Sequence, residues 1–295
     1  MSVTRFAAMF AAAALVLAQQ PTYKADVKLV RLLVNVKNPK GELVGNIDKS
    51  EFTVFDENTP QEIAVFERYT TKPISVAILV DTSGSTAKDW QLEVRSIGKF
   101  LTALFGEGNE HDAAALFTFN YDVTIRQEFT RNAKRLEDSI RYIKPEGGTS
   151  LYDAIYHASG QLQRRDGRHV IVLISDGGNT TSSKLYKDAK EAAQRGDVVM
   201  YPVVIVPIEN DAGRNLGGEH ALKTLADDTG GRLFDPTIKQ IDQTFTEILR
   251  DLRAQYMIGY YPRNLPPGAP KFHQVRIDLA RPDLRAQTRT GYYGE

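Results

Sequence analysis

The chain has 295 residues, which is enough for one large domain and a smaller one. Its 37 basic and 37 acidic side chains give a formal net charge of zero, and a general nucleic-acid-binding protein would show a basic excess instead. The chain has no cysteine, so disulfide bonds and lipid attachment at a cysteine are both excluded.

The first 18 residues have the form of a secretory signal peptide. Arg5 precedes an apolar block from Phe6 to Ala18, and Val16 and Ala18 suit the −3 and −1 positions of a cleavage site. The block is too short to span a bilayer comfortably. The sequence therefore predicts an exported protein, secreted or held in the periplasm or cell envelope, with no stable membrane span after removal of residues 1–18. An uncleaved anchor is the alternative.

Alternating apolar residues predict β-strands between residues 26 and 71. The apolar positions are Val30, Leu32, Val34, Val36, Phe52, Val54, Ile63 and Val65. A turn at Asn38–Gly41 and a turn-rich stretch at Asp56–Pro60 interrupt the pattern. We therefore predict an N-terminal β unit of three or four strands.

Residues 72–253 alternate between strand-like and helix-like hydrophobic patterns. The predicted strands are Ile74–Val80, Ala113–Phe119, Val123–Phe129, Val170–Ile174, Val198–Val206 and a weak one at Arg232–Phe234. The predicted helices are Trp90–Phe105, Asn132–Ile143, Leu151–Leu162, Lys184–Arg195, His220–Asp228 and Ile238–Leu252. This alternation predicts a doubly wound α/β domain with a mostly parallel sheet.

Strand signals return in residues 254–295. They lie at Tyr256–Tyr261, at Val275–Leu279 and at Leu284–Tyr293. Each flanking segment of the chain is only about 40 residues long, too short to bury a useful core by itself. We therefore predict that 254–295 packs with 26–71 to form one small β-sandwich-like domain, with the α/β domain inserted between them.

Oxygen-bearing side chains follow two of the predicted buried strands. Asp81-Thr82-Ser83-Gly84-Ser85 comes directly after the run Val76–Val80, and Asp176 follows Val170–Ile174. Thr149, after two glycines, precedes a predicted helix. Ligands of open α/β sheets bind beyond the carboxyl ends of the strands, and carboxylate and hydroxyl oxygens suit magnesium, manganese or calcium. Taken alone, the first motif also fits an ordinary helix N-cap.

Together these segments resemble the metal-ion-dependent adhesion site of von Willebrand factor type A domains, and the resemblance extends over about residues 72–253. It implies that Ser83, Ser85 and Thr149 bind a divalent ion, Mg²⁺ or else Mn²⁺ or Ca²⁺, through their hydroxyls. Asp81 and Asp176 would hold the ion partly through water. The resemblance also implies that an Asp or Glu side chain of a partner protein completes the coordination.

The flanking β segments also resemble the von Willebrand factor A-related proteins of acidobacteria, through Gln255–Tyr261 and the terminal Gly-Tyr-Tyr at 291–293. The resulting hypothesis is an exported, non-catalytic adhesion or scaffold module. A structural envelope protein with a non-functional site is one alternative. The other is a metal-dependent phosphoesterase, although the motifs around Asp81, Thr149 and Asp176 contain no lysine or obvious general acid. Asp153 is expected to favour the helix dipole rather than bind metal.

Overall fold

The structure is a computed structural model that describes residues 29–68, 71–84, 90–205, 215–237, 240–265, 268 and 271–294. The predicted signal peptide at 1–18 lies outside these described residues, and so does Ser85 of the first motif. No helix within the described ranges is long and apolar enough to cross a membrane.

The alternating pattern near the N-terminus forms strands β1 (Val30–Lys37), β2 (Phe52–Asp56), β3 (Thr59–Gln61) and β4 (Ile63–Glu67). A tight turn joins β2 to β3, where Glu57 and Asn58 both have positive φ angles, 48° and 62°. Two consecutive positive φ angles give a turn whose twist matches that of the strands it joins. The turn-rich sequence at this point therefore closes a hairpin.

The apolar runs in the middle of the chain form one sheet. Its strands are β5 (Ile74–Asp81), β6 (Ala113–Phe119), β7 (Val123–Thr130), β8 (Arg168–Ser175) and β9 (Val198–Val204). Their order in the described part of the chain is β7-β6-β5-β8-β9, and each neighbouring pair is parallel except β6 with β7. All eight residues of β5 are buried at the centre of the sheet, which explains the uninterrupted apolar run Val76–Val80 within it.

Helices cover both faces of this sheet. They are α1 (Trp90–Gly106), α2 (Ala133–Asp138), α3 (Leu151–Leu162), α4 (Tyr186–Arg195), α5 (Leu216–Thr229) and α6 (Ile241–Arg253). One core cluster joins a sheet face to α1, α2 and α6, and a second joins the opposite face to α3, α4 and α5. On β5, Ile78 belongs to the first cluster and Leu79 to the second. The predicted doubly wound, mostly parallel α/β fold is confirmed.

The helix predicted over Asn132–Ile143 is shorter in the structure and ends at Asp138. The Ser139 hydroxyl donates to the carbonyl of Leu136 at 2.6 Å, so it competes with the backbone for that acceptor. The N–H of Ile140 then bonds to a carbonyl three residues earlier, which is the tighter 3-10 pattern. The predicted C-terminal end of this helix is wrong, because the spacing of apolar residues carries no information about a side chain that competes with the backbone for a carbonyl.

The weak strand predicted at Arg232–Phe234 is a single bridge between Phe234 and Val203 of β9. The N–H of Phe234 donates to the carbonyl of Pro202, and the carbonyl of Phe234 accepts from Val204, both at 2.8 Å. Extending this ladder toward Arg232 would need a backbone N–H from Pro202, which proline lacks. The strand prediction is therefore wrong beyond one residue.

The C-terminal strand signals form β10 (Tyr256–Tyr260), β11 (Phe272–Leu279), β12 (Arg285–Gln287) and β13 (Gly291–Tyr293). The single last strand predicted at Leu284–Tyr293 is therefore wrong, since two short strands occupy that range. They belong to different sheets. Between them the Thr290 N–H donates to the carbonyl of Asp228 at 3.1 Å, which anchors the chain where it passes from one sheet to the other.

Strands from the two ends of the chain pair with each other. In the described residues one sheet has the order β12-β1-β10-β4 and the other the order β13-β11-β2-β3. β1 runs antiparallel to β10, with Val30 opposite Tyr260, and apolar side chains of both sheets share one core. The predicted β-sandwich built from both chain ends is confirmed. The boundaries at 26–71, 72–253 and 254–295 stay predictions.

A buried carboxylate ties the two ends of the sandwich together. Asp56, on β2, accepts hydrogen bonds at Oδ2 from the hydroxyls of Tyr260 (2.9 Å) and Tyr292 (2.7 Å). Nδ1 of His273 lies 3.2 Å from the other carboxylate oxygen. Both tyrosines belong to the Gly-Tyr-Tyr sequences near the C-terminus. These aromatic sequences therefore serve the packing of the sandwich.

Candidate functional site

Asp81 lies at the carboxyl end of the central strand β5 and is fully buried. Its Oδ1 accepts a hydrogen bond from the Ser83 N–H at 2.9 Å, and its Oδ2 accepts one from the Ser175 hydroxyl at 2.7 Å. Burial raises the pKa of Asp81 to about 6, although hydrogen bonds from Ser175 and Ser83 act in the opposite direction. The negative charge of Asp176 also raises this pKa. Ser175 is thus a residue of the site that the sequence analysis missed.

Thr149 is held by a backbone conformation that its two preceding glycines permit. Gly147 has a φ angle of +89°, and a Cβ on it would lie 2.6 Å from the Tyr121 ring. A Cβ on Gly148 would lie 2.7 Å from Thr181 Cγ2 and 2.9 Å from the same ring. Neither position has room for a side chain, so the Tyr121 ring can lie directly against this backbone. Thr149 itself is buried.

Asp176 follows β8 directly and faces the same space as Thr149. Its Oδ1 accepts a hydrogen bond from the Gly178 N–H at 2.9 Å. A Cβ on Gly178 would lie 3.0 Å from that Oδ1 and 3.8 Å from Thr149 Oγ1, so the two oxygens border one small space that a side chain would fill. Because Asp81 bonds to Ser175, the residue before Asp176, both carboxylates lie at the same end of the sheet.

Hydrogen bonds between loops fix this arrangement. The Glu146 N–H donates to the carbonyl of Thr82 at 2.8 Å, which joins the loop after β5 to the loop before Thr149. The Ser150 N–H donates to the carbonyl of Asn120 at 2.7 Å. On the other side, the Thr149 N–H donates to the Thr180 hydroxyl at 2.9 Å. The loops that carry the candidate ligands are therefore braced to one another.

The N-terminus of α3 is capped by a residue from another loop. The Asn179 side-chain oxygen accepts hydrogen bonds from the Leu151 N–H (3.1 Å) and the Ser182 hydroxyl (2.5 Å). Asp153, in the first turn of α3, accepts from the N–H groups of 183 (2.9 Å) and 184 (2.7 Å), so its carboxylate orders that loop. The sequence analysis missed Asn179, whose place directly after Ser-Asp-Gly-Gly was the available signal.

The structure places four of the five predicted ligands at one end of the sheet: Asp81, Ser83, Thr149 and Asp176. Ser85 lies outside the described residues. No group of three or more His, Asp or Glu side chains suited to a metal occurs in the described ranges. A cation at this place would thus be held by two carboxylates together with hydroxyls, an all-oxygen set that fits Mg²⁺, Mn²⁺ or Ca²⁺.

Residues 76–179 match the family model described as von Willebrand factor type A domain. Among solved structures, the chain is similar to the vWF domain of the type V pili tip protein Mfa5 from Porphyromonas gingivalis. That similarity has a TM-score of 0.51 and 15% identity, and it covers 61% of this chain and 95% of that one. Proximal thread matrix protein 1 from the mussel byssus also has a TM-score of 0.51 and 15% identity, covering 67% and 49%.

An aerotolerance-related membrane protein from Bacteroides fragilis has a TM-score of 0.48 and 19% identity, covering 61% of this chain and 98% of that one. No curated protein sequence matches the chain. The two similarities with a TM-score of 0.51 show a shared fold, and the chemistry of this chain has to be argued from its own residues.

Proposed function

Since the chain contains a von Willebrand factor type A domain, we propose that it is an exported, metal-dependent protein-binding module that captures an acidic side chain of a partner. The observation that carries this proposal is the meeting of Asp81, Thr149 and Asp176 at the carboxyl end of the central sheet. These side chains come from three separate segments of the sequence. Their loops are joined by hydrogen bonds that a set of unrelated helix caps would not need.

Under this proposal the hydroxyls of Ser83, Ser85 and Thr149 bind one Mg²⁺, Mn²⁺ or Ca²⁺, and Asp81 and Asp176 hold it partly through water. When bound, the ion supplies a local positive charge that attracts a carboxylate from outside. The buried carboxylate of Asp81 supports this assignment, because burial without a cation raises its pKa.

We further propose that the protein acts as an adhesion or scaffold module and not as an enzyme, outside the cell or in its envelope. The fold is shared with domains named as part of a pilus tip protein and of the mussel byssus, and such places suit a binding role. The apolar block before residue 18 supports export.

Isothermal titration of MnCl₂ and MgCl₂ into the mature chain tests the metal site. We expect one divalent ion per chain, lost in Asp176→Ala and weakened roughly tenfold or more in Thr149→Ala. Asp283→Asn is the matched control, because Asp283 is an exposed carboxylate in the sandwich and its removal changes the net charge equally. Absence of any binding at millimolar Mg²⁺ or Mn²⁺ would refute the proposal.

A second experiment tests for a partner protein and distinguishes the proposed binding role from a purely structural role and from an enzymatic one. Immobilised wild-type chain and the Asp176→Ala variant are exposed to envelope extracts with and without a chelator. A protein retained only by the wild type, and only with metal, supports recognition of a partner. Loss of folding without loss of any partner would favour the structural role, and metal-dependent hydrolysis of generic phosphoesters that Asp81→Ala abolishes would favour the enzyme.

A further inference from the structure

A cavity of about 130 Å³ lies where the α/β domain meets the sandwich, at the other end of β8 from the candidate metal site. Arg168 begins β8 and lines this cavity, whereas Asp176 follows the end of the same strand. Arg168 and Asp176 are eight residues apart along an extended strand, a distance of about 26 Å. Arg31 of β1 and Met257 of β10 line the cavity from the sandwich side. The cavity is therefore a separate feature that both domains build.

The lining of this cavity is strongly basic. Five basic residues border it against two acidic ones, Asp166 and Asp197. Asp197 and Arg289 form an ion pair and neutralise each other, which leaves four basic residues against one acidic residue. The backbone carbonyl of Arg31 accepts a hydrogen bond from Arg289 Nη2 at 2.8 Å. The exposed side chain of Arg31 lies at the edge of the cavity. The excess of positive charge favours an anion over a cation or an uncharged ligand.

Arg168 is buried and its hydrogen-bond partners are neutral, although the nearby charge of Asp112 raises its pKa. Its Nη1 donates to the carbonyl of Leu252 at 2.6 Å and to Gln255 Oε1 at 3.3 Å, and its Nε donates to the carbonyl of Lys72 at 3.2 Å. Nη2 has no hydrogen-bond partner in the part of the chain that the structure describes. Burial lowers the pKa of Arg168 to about 10, so the group stays charged at neutral pH. A buried guanidinium with a bare N–H₂ favours an oxyanion.

Gln194 supplies an independent indication. It lies at the end of α4, is only 3% exposed, and borders the same cavity. Neither its amide nitrogen nor its amide oxygen has a partner among the described residues. A buried amide without partners is costly, and native proteins rarely keep one unless water or a ligand satisfies it. Arg168 and Gln194 thus present unused hydrogen-bonding groups at one basic cavity.

We propose that this cavity binds one small oxyanion, either a phosphate-type group or a carboxylate, between the two domains. Arg168 would donate from Nη2, Gln194 from its amide nitrogen, and Arg31 would add charge at the open edge. A volume of about 130 Å³ corresponds to about four water molecules, which admits such a group and excludes a nucleotide or a folded peptide. Because residues of both domains line the cavity, a bound oxyanion stabilises the junction between them.

Isothermal titration and thermal unfolding test this proposal on the mature chain. Sodium phosphate, sulfate and acetate are compared at constant ionic strength with chloride as the reference anion. Metal is removed with a chelating resin, because soluble chelators are themselves carboxylates. We expect one saturable site, and a rise in the unfolding temperature with the preferred anion. Preference for phosphate and sulfate identifies a phosphate-type ligand, and preference for acetate identifies a carboxylate.

Two variants and one control distinguish a specific oxyanion site from nonspecific electrostatic attraction of anions to the basic surface. Arg31→Gln should weaken binding about tenfold, whereas Arg164→Gln should not, although both remove one exposed positive charge. Gln194→Leu should unfold at the same or a higher temperature without anion, and should lose the response to the preferred anion. No saturable binding of any of the three anions overturns the proposal. Equal binding by wild type, Arg31→Gln and Gln194→Leu overturns it too.

Discussion

Replacing Asp81 with asparagine examines the physical basis of the candidate metal site. In the folded chain, burial raises the pKa of Asp81 from 3.8 to about 6. The folded state therefore holds a proton on Asp81 more readily than the unfolded chain does. The contribution of this group to stability is complete below about pH 4 and is lost as pH rises through about 6. A pKa difference of this size corresponds to about 3 kcal/mol at neutral pH.

Asparagine avoids the cost of burying an ionised carboxylate because its side chain carries no charge. Its Oδ1 can still accept from the Ser83 N–H, and its amide NH₂ can donate to the Ser175 hydroxyl oxygen. The hydrogen bonds that the charged form accepts from Ser175 and Ser83 are already included in this net pKa shift, so they need no separate allowance. We therefore expect metal-free Asp81→Asn to be about 3 kcal/mol more stable than metal-free wild type at neutral pH. Millimolar Mg²⁺ should stabilise the wild type and leave this variant unchanged.

Urea unfolding followed by circular dichroism measures both effects in buffers treated with a chelating resin. The difference between the two proteins should shrink at about pH 5, where Asp81 is largely protonated in the wild type. Asp283→Asn should show neither the gain in stability nor the loss of the response to Mg²⁺. A less stable Asp81→Asn at neutral pH, or a difference that does not change with pH, would show that burial of the charge is not the dominant effect.

Three other substitutions give separate outcomes. Gly147→Ala should lower the free energy of unfolding in urea by about 1–2 kcal/mol and weaken Mn²⁺ binding, because its φ is +89° and Tyr121 occupies the space of a Cβ. Gly160→Ala, in the interior of α3 with open space around it, should instead stabilise by about 0.5–1 kcal/mol. Asp56→Ala should cost about 3 kcal/mol or more, because two tyrosine hydroxyls lose their acceptor, but Mn²⁺ titration should be unchanged.

The central sheet could be predicted from the sequence because its strands are buried on both faces. Burial of that kind demands continuous apolar runs, and the run before Asp81 forms β5 almost residue for residue. Elements set by single backbone groups could not be predicted in this way. Pro202 limits the pairing at Phe234 by lacking an N–H, and a contact from Thr290 to Asp228 divides the last predicted strand.

The same distinction applies to the candidate site. Asp81, Thr149 and Asp176 occur in short sequence patterns at strand ends and helix starts, so all three could be predicted as candidate ligands from the sequence. Ser175 and Asn179 act through partners that are 94 and 28 residues away in the chain. Such contacts depend on how the loops meet in three dimensions, and no local pattern encodes them. The sequence thus predicts candidate ligands better than the residues that hold them in place.

Asp81 and Arg168 lie at opposite ends of the sheet, and the same physical effect, burial of a charge, acts on both. Each is a buried charged group at the end of a strand, and burial shifts the pKa of each toward its neutral form. An apolar side chain of similar size would be buried at either place without that cost. Binding an ion of opposite charge would recover the lost stability, by an amount that grows with ligand concentration. Because the cation and the oxyanion act on different residues, failure of one proposal leaves the other standing.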